Sequence, residues 1–135
     1  MTTRADVIHA AREYLGVPYK HQGRNRHGLD CIGLVIAVGH DLGLSDFDID
    51  GYGRVPSGRR MARQIAEVCQ RIQAQAARNG DMIHLSFTTQ PQHLALLTDV
   101  GMIHADNTYG VVEHVLDAKW RARIRGWYQL PGVTD

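Results

Sequence analysis

The stretch HGLDCIGLVIAVGH, residues 27–40, places one cysteine at the start of a run that is apolar on almost all sides. This run predicts a helix from Cys31 to Leu42 that is buried over most of its surface, with Gly43 as its stop. Asp30, directly before the run, is suited to cap the helix N-terminus. Buried on most sides, such a helix holds the Cys31 thiol rigidly in place.

Two further helical patterns flank this stretch. Before it, Thr3 and Asp6 form an approximate capping box for a helix that has Gly16 as its C′ residue. After it, apolar residues at helical spacing from Met61 to Ala76 predict one face of a third helix that ends near Asn79-Gly80. The segment DFDIDGYGRVPSG, residues 46–58, lies between the second and third helices and is irregular.

Beyond Gly80 the apolar period changes from helical spacing to two. Ile83, Leu85 and Phe87 alternate with more polar positions, which indicates a strand. Four later segments are also strand candidates: QHLALLT, VGMIHAD, GVVEHVL and RIRGWYQL. Helices first and strands later predict an α+β domain with an antiparallel sheet, and 135 residues favour one domain over residues 1–135.

The composition narrows the class of protein. A hydrophobic fraction of 44%, a charged fraction of 21% and a net charge of +1 are ordinary for a globular domain and give no sign of a nucleic-acid partner. No apolar run approaches the ~18 residues of a membrane span. Two cysteines make no disulfide framework, and the first residues lack the apolar core of a signal peptide. We therefore expect synthesis in the cytoplasm, no membrane partner and no cofactor.

Two roles for Cys31 stay open at this point. A helix N-terminus lowers the pKa of a thiol and offers N–H groups to an oxyanion, as a nucleophile requires. Alternatively, Cys31 is simply a buried core residue, which is the commoner role of an isolated cysteine. The charge of Asp30 opposes ionisation of the thiol, so catalysis needs a histidine as base. A zinc site is a weaker alternative, since no metal-ligand spacing supports it.

Eight histidines compete for the role of base, and hairpin register singles out two. If Leu97 pairs with Val100 across a two-residue turn, His93 lies directly opposite His104 on one face. A four-residue loop closing at Leu96 preserves this pairing, whereas a three-residue loop places the two histidines on opposite faces. One histidine can then meet a thiol while the other orients it.

Together these blocks resemble the NlpC family of papain-like cysteine peptidases, which cut bacterial cell-wall peptides. The resemblance runs from about Tyr14 to Tyr128 and rests on YLGVPYKHQG, GLDCIGLV, NGDMIHL and QHLALLTDVGMIHAD. It implies a papain-like fold with helices on a central antiparallel sheet. It also implies Cys31 as nucleophile, His93 as base and His104 as the orienting third residue.

The resemblance extends to substrate and setting. Tyr19 matches a tyrosine near the catalytic cysteine, and Asp30 and Ile32, which flank Cys31, complete the predicted substrate-binding set. Ile32 departs from the serine of many cellular members. The implied substrate is a peptidoglycan stem peptide, cleaved between D-Glu and the diamino acid. A structural, non-catalytic role and an amidase or acyltransferase activity remain alternatives.

The resemblance is strongest to a phage-associated branch of the family. It lies in the bulky residue after the cysteine, in GVVEH, and in the tail KWRARIRGWYQLP. It implies that the protein acts on the cell wall as part of a phage or phage-like particle, with other tail proteins as partners.

Overall fold

The computed structural model describes residues 1–45, 48, 60–88 and 92–135. The irregular segment predicted at 46–58 lies outside these residues, apart from Asp48. In chain order the helices are α1 (Arg4–Arg12), α2 (Cys31–Asp41), α3 (Arg60–Val68) and α4 (Ala118–Arg121), with a 3₁₀ turn at Ala74–Ala76. The strands are β1 (Arg24–Asn25), β2 (Gly28–Leu29), β3 (Gln70–Ile72), β4 (Met82–Leu85), β5 (His93–Leu97), β6 (Met102–Asp106), β7 (Gly110–His114) and β8 (Ile124–Gln129).

The sheet is antiparallel, as the sequence predicts. Six strands pair in the order β3-β8-β4-β5-β6-β7, and β1 and β2 form a separate short hairpin. The strands from β4 to β7 are consecutive neighbours, and β8 returns to lie between β3 and β4. This mixed architecture, with helices early and a sheet late, confirms the predicted α+β class.

The first two helices begin where their caps predict. Thr3 Oγ1 accepts a hydrogen bond from the Asp6 N–H at 3.1 Å, and the Asp6 carboxylate accepts one from the Thr3 N–H at 2.9 Å, which completes the capping box. Asp30 caps α2. However, α1 ends at Arg12, earlier than predicted, because the next N–H groups bond carbonyls three residues back in successive turns. Gly16, the predicted C′ residue, has a φ of 87°, and its N–H bonds the carbonyl of Val111 in β7 at 3.0 Å.

The third helix is shorter than predicted. It stops at Val68, and Gln70–Ile72 instead pairs with β8 as an edge strand. Cys69, between α3 and β3, is half-buried. Residues 70–72 have apolar spacing that fits a helix, but they pair with the edge of β8 instead. The periodicity of the sequence gives no information about where β8 lies, so it cannot predict this pairing.

The sheet is covered on both faces. On one face α1 and α2 pack on a cluster that includes Leu94, Leu96 and Ile103. On the other face Ala95, Leu97 and Met102 form a second cluster with aromatic side chains above it. Within the described ranges, no helix combines the length and apolar character needed to cross a membrane.

Candidate active site

Cys31 is the first residue of α2, and the carboxylate of Asp30 holds the chain there. That carboxylate accepts hydrogen bonds from the N–H of Gly33 at 2.7 Å and of Gln22 at 2.8 Å, and Arg24 Nη1 lies 3.4 Å away. Only 2% of Asp30 is exposed. The side chain therefore fixes the helix start against the preceding loop, and its role in substrate binding stays a prediction.

A glycine two residues after Cys31 is required by the same loop. A Cβ atom on Gly33 would lie 1.9 Å from the carbonyl oxygen of Gly23, far inside contact distance. The loop backbone can approach the helix start only because position 33 carries no side chain. Close packing of the loop against the helix start therefore explains the glycine of the Asp-Cys-x-Gly block in this chain.

The Cys31 thiol is buried against strand β5. Only 3% of the residue is exposed, and Cys31 lies in the same buried cluster as Leu94. Burial raises the pKa of the thiol to about 12, and the charge of Asp30 also raises it, whereas hydrogen bonds from the backbone of Leu94, Ile32 and Cys31 lower it. The sequence argument needed a lowered pKa. At this site burial outweighs the helix N-terminus, so the resting thiol is neutral.

The two predicted histidines meet on one face of the sheet. His93 Nε2 lies 2.8 Å from His104 Nδ1, and both residues are buried. Leu97 pairs with Met102 across a four-residue loop, so the register is shifted by two from the one predicted. The shared face is confirmed, but direct opposition is wrong: the histidines are diagonal neighbours, still within reach of each other.

Both imidazoles are held neutral by their surroundings. Burial lowers the pKa of His93 to about 3, with the neighbouring His104 and His84 adding to the effect. Burial lowers the pKa of His104 to about 4. His93 Nδ1 is buried and has no hydrogen-bond partner, the Cys31 thiol included, in the part of the chain that is described. A neutral imidazole nitrogen with an unused lone pair is suited to accept a proton.

Cys31 and His93 come close through the backbone of β5. In the described residues the backbone pairs between β5 and β6 are Leu96 with Ile103 and Leu97 with Met102, and the start of β5 contacts β6 through the His93 and His104 side chains. There the backbone of Leu94, one residue after His93, is near enough to the Cys31 thiol to lower its pKa. The structure therefore brings Cys31, His93 and His104 to the same end of one strand.

A third histidine joins the pair, and the sequence argument did not select it. His104 Nε2 lies 2.9 Å from His114 Nε2, and His114 Nδ1 lies 3.0 Å from the carbonyl oxygen of Val115. The available signal was the block GVVEH, which ends at His114. Its distance from His104 depends on the β6–β7 register, in which Met102 pairs with His114.

The remaining predicted residues lie nearby. Tyr19 is half-buried, packs against the core and bridges to Leu29 just before Asp30. Ile32 is 4% exposed and lines an apolar cavity between α2, α3 and β5. Their roles in substrate binding stay predictions. Among the described side chains, no three His, Cys, Asp or Glu residues converge in a way that could hold a metal ion.

Helices packed on an antiparallel sheet, with Cys31 at the start of α2, form a papain-like fold. The chain belongs to the NlpC/P60 family, whose model matches residues 16–127. A search of curated protein sequences found no match.

Solved structures of NlpC/P60 proteins share the fold. The NlpC/p60 domain of the peptidoglycan hydrolase SagA superposes with a TM-score of 0.68 at 24% identity, over 96% of this chain and 100% of that one. An NlpC/P60 family protein from Bacillus cereus gives 0.71 at 20% identity, over 96% of this chain but 40% of the other. RipD from Mycobacterium tuberculosis, described as a non-catalytic peptidoglycan-binding protein, gives 0.64 at 19% identity, over 98% and 99%.

Proposed function

We propose that this protein is a cysteine endopeptidase that hydrolyses amide bonds in peptidoglycan stem peptides, between D-Glu and the diamino acid. One observation carries the proposal: a hydrogen-bonded imidazole pair, 2.8 Å apart, lies at the start of the strand whose next residue, Leu94, shares a buried cluster with Cys31. Membership of the NlpC/P60 family supports peptidoglycan as the substrate.

In the proposed first step, Cys31 loses its proton as it attacks. The pKa of the thiol is raised to about 12 and that of His93 is lowered to about 3, so both groups start neutral. The thiol proton moves to His93 Nδ1 while Sγ bonds to the carbonyl carbon of the substrate. The backbone N–H groups of Cys31 and Ile32, in the first turn of α2, can donate to the oxyanion that forms.

Collapse of this intermediate breaks the amide bond. His93 returns its proton to the leaving amine, which leaves a thioester on Cys31. His93 then takes a proton from water as the water oxygen attacks the thioester, and the thiol recovers that proton on release of the acid. His104, hydrogen-bonded to Nε2 of His93, holds the imidazole in its orientation throughout.

Digestion of purified peptidoglycan tests the proposal. We expect the wild-type chain to release new amino groups, and Cys31→Ala to release them at least ~1000-fold more slowly, because the nucleophile is gone. Cys69→Ala is the matched control, since Cys69 is the other free cysteine and should keep full activity. Mass spectrometry of the muropeptides identifies the cleaved bond and separates hydrolysis from acyl transfer. Equal rates for Cys31→Ala and wild type would remove Cys31 as nucleophile.

A non-catalytic role makes the opposite prediction. If the wild-type chain binds peptidoglycan in a sedimentation assay but releases no amines at any pH, a binding role like the one described for RipD replaces the proposal.

We also propose delivery to the cell wall by a phage or phage-like particle. The support is the sequence resemblance carried by GVVEH and KWRARIRGWYQLP. Antibody detection of the protein on purified particles tests it, and its absence from them would contradict it.

A further inference from the structure

His104 is bonded on both sides by other histidines. His93 lies 2.8 Å from its Nδ1 and His114 lies 2.9 Å from its Nε2. His114 is half-buried at the end of β7, and its Nδ1 points to the carbonyl oxygen of Val115, 3.0 Å away. Three imidazoles and one carbonyl thus form a single hydrogen-bonded chain across β5, β6 and β7.

The carbonyl at the end of this chain determines the direction of every bond. A carbonyl oxygen only accepts, so His114 Nδ1 carries the proton of that bond. In the neutral ring His114 Nε2 is then an acceptor, and His104 Nε2 donates to it. The acceptor left on His104 is Nδ1, so His93 Nε2 must donate. The lone pair of His93 therefore falls on Nδ1, the buried nitrogen that has no hydrogen-bond partner among the described residues.

We propose that His114 is a positioning residue that fixes, through His104, the tautomer in which His93 Nδ1 is free to accept a proton. The inference deepens the proposed function, because the Nδ1 lone pair is the base of the proposed reaction. A two-histidine site without His114 would leave His104 free to present either nitrogen, and half of the resulting arrangements would place a proton on His93 Nδ1.

Aromatic side chains keep the rings in place. The Trp120 ring lies 5.2 Å from His104 and 4.9 Å from His114, measured between ring centroids, and Phe87 lies 5.7 Å from His93. The charged residue closest in sequence to this chain, Glu113, pairs instead with Arg12 at 2.8 Å. Asp106, at the end of β6, is the acidic group whose charge acts on His104. In the described structure, the side-chain hydrogen bonds of His104 are therefore made with the other two imidazoles.

Nitrogen NMR of the ¹⁵N-histidine-labelled full chain at pH 7 reads the tautomers directly. We expect His93 and His104 to carry the proton on Nε2 and His114 to carry it on Nδ1. His93 protonated on Nδ1 in the wild-type chain would overturn the proposal. This measurement needs no substrate, so it stands even if the chain hydrolyses nothing, and it separates failure of the inference from failure of the proposed function.

Two variants at position 114 separate a tautomer effect from a packing effect. His114→Phe keeps a ring but no acceptor, so we expect the His93 signal to become a mixture of tautomers. His114→Gln places an amide oxygen near the former Nε2 and should restore the Nε2–H tautomer of His93. An unchanged His93 signal in His114→Phe would contradict the proposal.

Kinetics add a second reading on peptidoglycan. We expect His114→Phe to lower kcat by about tenfold with KM unchanged, as loss of one orienting hydrogen bond implies, and His114→Gln to recover most of the rate. His9→Phe is the control because His9 is exposed on α1, and it should match wild type. Equal losses in the Phe and Gln variants would show a packing role and reject the proposal.

Discussion

The two faces of the six-stranded sheet carry different chemistry at the start of β5. Toward α1 and α2 the strands present aliphatic side chains such as Leu94, Leu96 and Ile103. Toward Trp120 the apolar cluster gives way to a chain of imidazoles. One face anchors the helix that holds Cys31, and the other orients the base. Because alternate residues of a strand point to opposite faces, a single strand can serve both purposes.

The largest effect should come from removing the base on the imidazole face. We expect His93→Gln to lower kcat/KM by about 1000-fold, since the general base is lost while the fold is kept. Amine release from peptidoglycan measures it, with circular dichroism to confirm folding. His9→Gln is the control. Activity within tenfold of wild type would exclude His93 as base.

On the helix-covered face the largest effect should fall on stability instead. Leu96 is fully buried, so Leu96→Ala should lower the free energy of unfolding by about 2–5 kcal/mol. Urea denaturation measures the loss, and Val100→Ala, at a residue 48% exposed, is the control with a change near zero. Activity per folded molecule should stay unchanged. A thousandfold loss of activity in folded Leu96→Ala would contradict the view that the helix-covered face contributes stability and the imidazole face contributes catalysis.

The imidazole face should also make stability depend on pH. Burial lowers the pKa of His93 to about 3 and of His104 to about 4, against an ordinary value of 6.5. Below pH 6.5 the unfolded chain takes up protons that the folded chain does not, so the free energy of unfolding falls as pH falls. The slope is up to about 1.4 kcal/mol per pH unit for each such histidine.

Urea denaturation between pH 7 and 4.5 checks this slope. The described carboxyl groups with shifted pKa values, Asp6, Asp99 and Glu113, have ordinary values at or below 4.5, so they affect the lower end of this range and the slope is compared above about pH 5.5. The double variant His93→Gln, His104→Gln should reduce the slope there, and His84, whose pKa burial also lowers, accounts for the part that remains. A slope as steep as that of the wild type in this variant would assign the pH dependence to other groups.

A smaller effect concerns the thiol. With its pKa raised to about 12, Cys31 is a thiolate only rarely at neutral pH, so alkylation by iodoacetamide should quicken about tenfold per pH unit from pH 7 to 10. The Cys69→Ala background isolates the signal of Cys31. A rate that is constant across this range would reveal a preformed thiolate–imidazolium pair and contradict the neutral resting state.

Local patterns predict much of this architecture correctly. The starts of α1 and α2 follow from side chains that bond N–H groups within three residues, so Thr3 and Asp30 suffice to place them. The order of the strands from β4 to β7 follows from their short connections. The end of α3 does not follow from local patterns, because Gln70–Ile72 pairs with a strand more than fifty residues away.

The sequence alone determined that Cys31 begins a helix and, for a hairpin loop of even length, that His93 and His104 share a face, because capping and strand alternation act over a few residues. Tertiary structure decided the two-residue shift between those histidines, the arrival of His114 beside them, and the raised pKa of the thiol. Each of these depends on how distant strands pair and how deeply side chains are buried. Neither quantity is encoded in any short stretch of the chain.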